Sequence, residues 1–181
     1  FVYDLPPNVV EVEEVFLDDA LRLHGEHMPI LFTAEERTAL RELLRLGNPD
    51  WDVLFRLFQE KKAHPLSFLQ SRDFMGLFTQ ICMEDYPYVA YADAFHTMRS
   101  MLLPVLYLLT GHVPKAQMYH AISTGYGGLL ACMGGSMNNA PVLLTEHGIY
   151  TREREEEIIR AEWVVPSFKS RWIRFFYMLS E

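Results

Sequence analysis

The densest run of chemically capable side chains is Thr145-Glu-His-Gly-Ile-Tyr-Thr-Arg-Glu-Arg154. A histidine placed as His147 is can donate to a sugar hydroxyl or a phosphate oxygen. Glu146 beside it can shape its charge, Gly148 lets a backbone approach closely, and Tyr150 adds a polar aromatic. Arg152 and Arg154 can make bidentate contacts with phosphate or carboxylate. A blander account also stands: Glu153, Glu155, Glu156 and Glu157 pair with Arg152, Arg154 and Arg160 along an exposed helix. That account suits the residues beyond Arg154 better than it suits Glu146-His147-Gly148.

A second cluster is His120-Ala-Ile-Ser-Thr-Gly-Tyr-Gly-Gly128. Small residues after a strand let the backbone approach a ligand, and a helix N-terminus offers free N–H groups to an anion or a sugar hydroxyl. His120, Ser123, Thr124 and Gly125 are the candidate binding residues. The pattern is neither GxGxxG nor the phosphate-loop GxxxxGK[ST], so glycines that only permit tight helix–sheet packing remain an open alternative.

These residues need elements to hold them. Residues 116–122 read as a short strand, followed by a small-residue helix through Gly127, Gly128, Leu129, Leu130 and Ala131. Residues 141–145 read as a second buried strand, followed by a charged helix at about 151–161 and an aromatic amphipathic one at about 167–180. Strand, helix, strand, helix at this spacing is the pattern of a parallel sheet. In such sheets the ligand crevice lies outside the carboxyl ends of the strands. Upstream, residues 9–16 are β-branched and partly alternating, which predicts a strand. Thr33-Ala-Glu-Glu36 has capping-box spacing, and Leu40, Leu43, Leu44 and Leu46 follow at helical intervals. Asp50 can cap a second helix and Ser67 or Ser71 a third. A fourth should run from about Asp93 to Leu109 with a kink at Pro104. The expected organisation is one incomplete domain over 1–181. A strand and a mainly helical part fill 1–115, and a β-α-β-α core carrying the candidate site fills 116–181.

Half of the 181 residues are hydrophobic, enough for a real core. The net charge of −8 lies entirely in residues 1–60, which hold 13 acids and 5 bases. No basic stripe offers itself to a phosphate backbone, so no nucleic-acid partner is expected. Cys82 and Cys132 lie far apart and form no metal or redox motif. His24 and His27 are three apart but lack a partnering carboxylate pattern, so no metal site is expected. His64, His96 and His112 read as structural or solvent-facing. The stripe Trp163, Phe168, Trp172, Phe175, Phe176 and Tyr177 is first a packing face. Lys169, Arg171 and Arg174 interleave with it and leave a membrane-surface or partner-docking role open.

Three stretches carry a family resemblance: Tyr119 to Gly128, Leu143 to Glu155, and Trp163-Val-Val-Pro-Ser-Phe-Lys-Ser-Arg-Trp172. On these the chain resembles the amino-terminal, DUF3492-type region of the Pel-polysaccharide type of glycosyltransferase. That type lies within the retaining GT-B class called glycosyltransferase family 4. The resemblance implies a partial Rossmann-like parallel sheet with a large helical insertion, one of two domains facing a cleft. By motif match, His147 corresponds to the histidine that lines the cleft beside the transferred sugar, and His120 to one at the end of the preceding strand. Relatives often carry a further histidine where this chain has Ile122.

No Glu-x₇-Glu pair marks a nucleotide-sugar domain, and no glycine-rich loop follows an initial strand. The chain therefore reads as an internal piece of the first domain, inactive in isolation. The resemblance implies as partners a nucleotide-sugar donor, UDP-glucose, held mainly by the second domain, and a saccharide acceptor. No cofactor is expected. The expected location is cytoplasmic, with a peripheral position at the inner face of the cell membrane left open. The rival expectation is a non-catalytic module that docks on a membrane-associated polysaccharide-synthesis complex.

Overall fold

The computed structural model describes residues 4–23 and 31–181. His24 and His27 lie outside the described residues. A 3₁₀ helix, Leu17–Arg22, precedes five α-helices: α1 Ala34–Arg45, α2 Trp51–Gln59, α3 Pro65–Leu69, α4 Arg72–Asp85 and α5 Tyr91–Thr110. Then follow β1 Tyr119–Ala121, α6 Tyr126–Asn138, β2 Val142–Leu144, α7 Tyr150–Arg160 and α8 Lys169–Met178, the last entered through a 3₁₀ turn at Pro166–Phe168. The chain is mixed α/β, mostly helical, with a small parallel sheet.

Helix starts follow local chemistry. The Thr33 hydroxyl accepts from the Glu36 N–H while the Glu36 carboxylate accepts from the Thr33 N–H, completing the capping box of α1. Asp50 caps α2 through the Val53 N–H, and Ser71 caps α4 through the Phe74 N–H. His64 caps a separate short helix, α3, whose first residue is Pro65. Of the two starts open to the expected third helix, Ser71 is the one used, and the short α3 is an additional helix before it. Pro104 sits inside an unbroken α5, and the helix it was expected to kink runs as one span of 20 residues. Leu102, Leu103, Val105 and Leu106 around it are fully buried, so packing holds the helix where one backbone bond is lost.

The strand expected at 9–16 does not form. Residues 9–16 run without a ladder partner, and Val10, Val12 and Phe16 are exposed. The local backbone bonds are Val9 N–H to the Pro6 carbonyl and Asp19 N–H to the Phe16 carbonyl, both turn-like. A β-branched pattern specifies a strand only where another strand supplies hydrogen-bond partners.

One core links the helical part to the later elements. Leu40, Leu54, Phe58, Phe74 and Leu106 share it with Met133 of α6, Ile158 of α7 and Phe175 of α8. The aromatic stripe is mostly spent here: Phe168, Trp172, Phe175 and Phe176 are buried, whereas Trp163 and Tyr177 are exposed. The α8 face meets α4 through Arg171, whose guanidinium lies 4.4 Å from the Tyr86 ring centroid and 3.3 Å from the Asp85 carboxylate. Burial pushes the Tyr86 phenol up to about 12, with Arg171 opposing the shift.

β1 and β2 pair in parallel with Tyr119 opposite Val142, His120 opposite Leu143 and Ala121 opposite Leu144. Helix α6 covers the face bearing Tyr119 and Ala121. Close approach there requires small residues: a Cβ on Gly134 would stand 2.5 Å from Cε1 of Tyr119. The buried Tyr119 phenol donates to the Pro114 carbonyl at 2.8 Å and accepts from the Ala116 N–H and the Asn138 side chain, tying the entry of β1 to the end of α6. The β2 strand was expected to be buried, but Val142, Leu143 and Leu144 remain 41%, 48% and 46% exposed. A two-stranded sheet has too few neighbours to cover it.

Candidate functional site

Because β1 and β2 are parallel, their carboxyl ends open on the same side, and the two polar loops that follow lie next to each other. Two side-chain hydrogen bonds join them. His120 Nε2 stands 2.9 Å from the Thr145 hydroxyl, and the buried Thr124 hydroxyl donates to Glu146 Oε1. Both chemical clusters found in the sequence are thus one place in the fold.

The loop after β1 turns at Gly125, whose φ of +78° lies where L side chains rarely go. A Cβ here would also stand 2.5 Å from Cζ of Tyr150. Tyr150, the first residue of α7, packs its ring on this turn and edge-on against Phe176 at 6.1 Å, with the Arg154 guanidinium 5.6 Å from its centroid. It therefore supports the loop that presents Thr124. Burial raises the Tyr126 and Tyr150 phenols, with the nearby Arg154 charge opposing, so both are neutral hydroxyls at ordinary pH.

His147 is exposed in the turn after β2 and makes no hydrogen bond or ion pair with another described residue. Its imidazole is available to an incoming group. Gly148 lies beneath the Glu153 carboxyl, whose Cδ would be 3.2 Å from a Cβ placed there. Ser123 is exposed beside Gly127 at the start of α6. Arg152 is turned along α7, where it pairs with Glu156 at 3.5 Å, and Glu156 also meets Arg160 at 3.6 Å. Arg154 pairs with Glu157 at 2.8 Å. The bland account of the α7 charges therefore describes these pairs, and the Arg152 side chain is exposed.

Thr145 escaped the sequence reading as a site residue, although it closes the contact to His120. In the parallel pair the register sets His120 opposite Leu143, so Thr145 falls on the same face as His120, and that register belongs to the fold rather than to the local sequence. Among the described residues no cluster of three or more His, Cys, Asp or Glu could hold a metal ion.

Comparison with known proteins adds one finding. The chain matches, over residues 1–181, the family described as Domain of unknown function (DUF3492). The chain belongs to the DUF3492 family. No curated protein and no solved structure matches it. Within this DUF3492 chain no helix among the described residues is long and apolar enough to cross a membrane.

Proposed function

We propose that this DUF3492 chain forms the acceptor side of a retaining GT-B glycosyltransferase with a Rossmann-like first domain. The enzyme would transfer a hexose from a nucleotide-sugar, UDP-glucose by the Pel-type resemblance, in exopolysaccharide synthesis at the cytoplasmic side of the membrane. One observation carries most of this. The β1–α6–β2 unit sets two polar loops together at the carboxyl ends of parallel strands, with Glu146 tied down by Thr124 and His147 left free.

In the transfer, the bond from the sugar C1 to the diphosphate oxygen breaks and a bond from the acceptor hydroxyl oxygen to C1 forms, the hydroxyl proton leaving with the nucleotide. The sugar gains positive character as the diphosphate gains negative charge. His147 donates a hydrogen bond to the sugar or the diphosphate, and Glu146, fixed by the Thr124 hydroxyl, shapes its surroundings. Positioned groups of this kind act through orientation and electrostatics. A membrane-complex partner would engage the exposed Trp163 and Tyr177 rather than the buried part of the aromatic stripe.

The test is to incubate the complete polypeptide that carries this chain with UDP-glucose and a saccharide acceptor and to measure UDP release. Acceptor-dependent release supports the assignment. Absence of release with every nucleotide-hexose supplied would overturn it.

A further inference from the structure

Helix α4 keeps one face inside the fold and one outside it. Phe74, Phe78, Ile81 and Cys82 are buried in the core. Arg72, Met75, Gly76, Thr79, Gln80 and Met83 share the outward face at intervals of three and four residues, and all six are exposed there. Met83 is 73% exposed, and Tyr91 of α5 joins the patch through its hydroxyl, 3.3 Å from that of Thr79.

Gly76 is the residue that the fold leaves unexplained. Glycine is a poor helix former, kept inside a helix where something must come close. A Cβ built on Gly76 meets no atom within 4 Å, so no neighbour within the chain requires a glycine there. The result is a notch in the outer surface of α4 that only a group from outside can fill.

The same face carries a group that fits it. Met83 follows Gly76 by about two helical turns and lies on the same side of α4. When two copies of α4 lie antiparallel about a two-fold axis between Thr79 and Gln80, Met83 of each meets Gly76 of the other. Such reciprocity is what a two-fold interface demands. Methionine, flexible and polarizable, suits the knob. Charge favours the same alignment. Arg72, at the start of α4, is exposed and pairs with no other described residue. Glu84 and Asp85 stand at the other end, where the backbone dipole is also negative, although Arg45 and Arg171 meet them within the chain. An antiparallel pair brings each Arg72 to the acidic end of the other helix, whereas a parallel pair would set like ends together.

We propose that the outward face of α4 is a self-association surface on which two copies of this chain dock antiparallel, with Met83 of each seated over Gly76 of the other. The inference is independent of the glycosyltransferase reading. One helix per copy buries less than the roughly 800 Å² per partner of a standard interface, so the dimer is weak and forms at about 100 µM chain.

Sedimentation equilibrium of the 181-residue chain from about 10 µM to about 1 mM tests this. The mass should rise from one chain toward two, and added salt should oppose the rise. Gly76→Gln fills the notch and Met83→Gln removes the knob, and each should raise the dissociation constant by about tenfold or more. Gly76→Gln should also raise the urea midpoint of the dilute monomer, because glutamine is the better helix former, so that lost association is not mistaken for lost folding. In a Cys132→Ser background, with Cys82 buried, Thr79→Cys lies beside the axis and should give a cross-linked dimer with a short bis-maleimide, lost again when Gly76→Gln is added. A chain that stays monomeric up to about 1 mM would overturn the proposal. So would a dimer that Gly76→Gln and Met83→Gln leave at the parent affinity.

Discussion

The chemistry of the candidate site depends on single atoms, and the sequence shows their identity better than their partners. Glu146 and His147 stand out as a pair in the sequence, but only the fold shows that Thr124, distant in the chain, fixes Glu146 and leaves His147 open. Arg152, a phosphate ligand by type, stands in the fold as an exposed partner of Glu156 along α7. Gly125 was legible as a turn residue, though not its contact with Tyr150. Gly125→Ala combines a positive φ with a collision against the Tyr150 ring, and should destabilise the chain by about 1–3 kcal/mol. A lowered urea midpoint checks this, and an unchanged midpoint would mean that the turn relaxes freely. Thr124→Val removes the donor to Glu146 at nearly constant volume. It should lower UDP release by the complete polypeptide while Thr124→Ser restores it, a rescue that a packing role alone would not produce.

At the scale of elements, capping and periodicity were legible because they are local. Thr33, Asp50 and Ser71 each cap the helix their spacing indicated. Thr33→Ala should cost about 1 kcal/mol in equilibrium unfolding. The pattern at 9–16 yields no strand because strand formation needs a distant partner that a local pattern cannot supply. The exposure of β2 was missed for the same reason, since a buried-looking apolar run says nothing of how many strands flank it. The join between α1 and α8 was equally invisible: Arg174 Nε donates to the carbonyl of Leu46 at 2.7 Å. Leu46 is buried with φ of +54°, a conformation disfavoured for leucine, and the Arg174 bond helps hold it.

For the molecule as a whole, the core crosses the boundary at which the sequence changes rhythm, so the helical part and the β-α-β part support each other. An ion pair near α1 makes part of that stability pH-dependent. Burial pulls the Glu36 carboxyl upward. The Lys61 hydrogen bond, the Thr33 N–H and the Lys61 charge outweigh it and hold the group below its ordinary value of 4.5. A depressed folded value means that this contribution is complete above 4.5 and is lost as pH falls from there through the folded value. Lys61→Met should therefore lower stability at pH 7 and reduce the acid dependence of the urea midpoint below pH 4.5; an unaltered acid limb would show that the pair does not contribute. The central claim concerns the free imidazole beside Glu146. It is tested most directly by comparing acceptor-dependent UDP release from UDP-glucose by the complete polypeptide and its His147→Ala variant. The account predicts a kcat lower by about 10²- to 10³-fold, the loss typical of a hydrogen-bond donor aimed at developing charge, with the fold intact by circular dichroism. A variant that transfers sugar at the parent rate would contradict it.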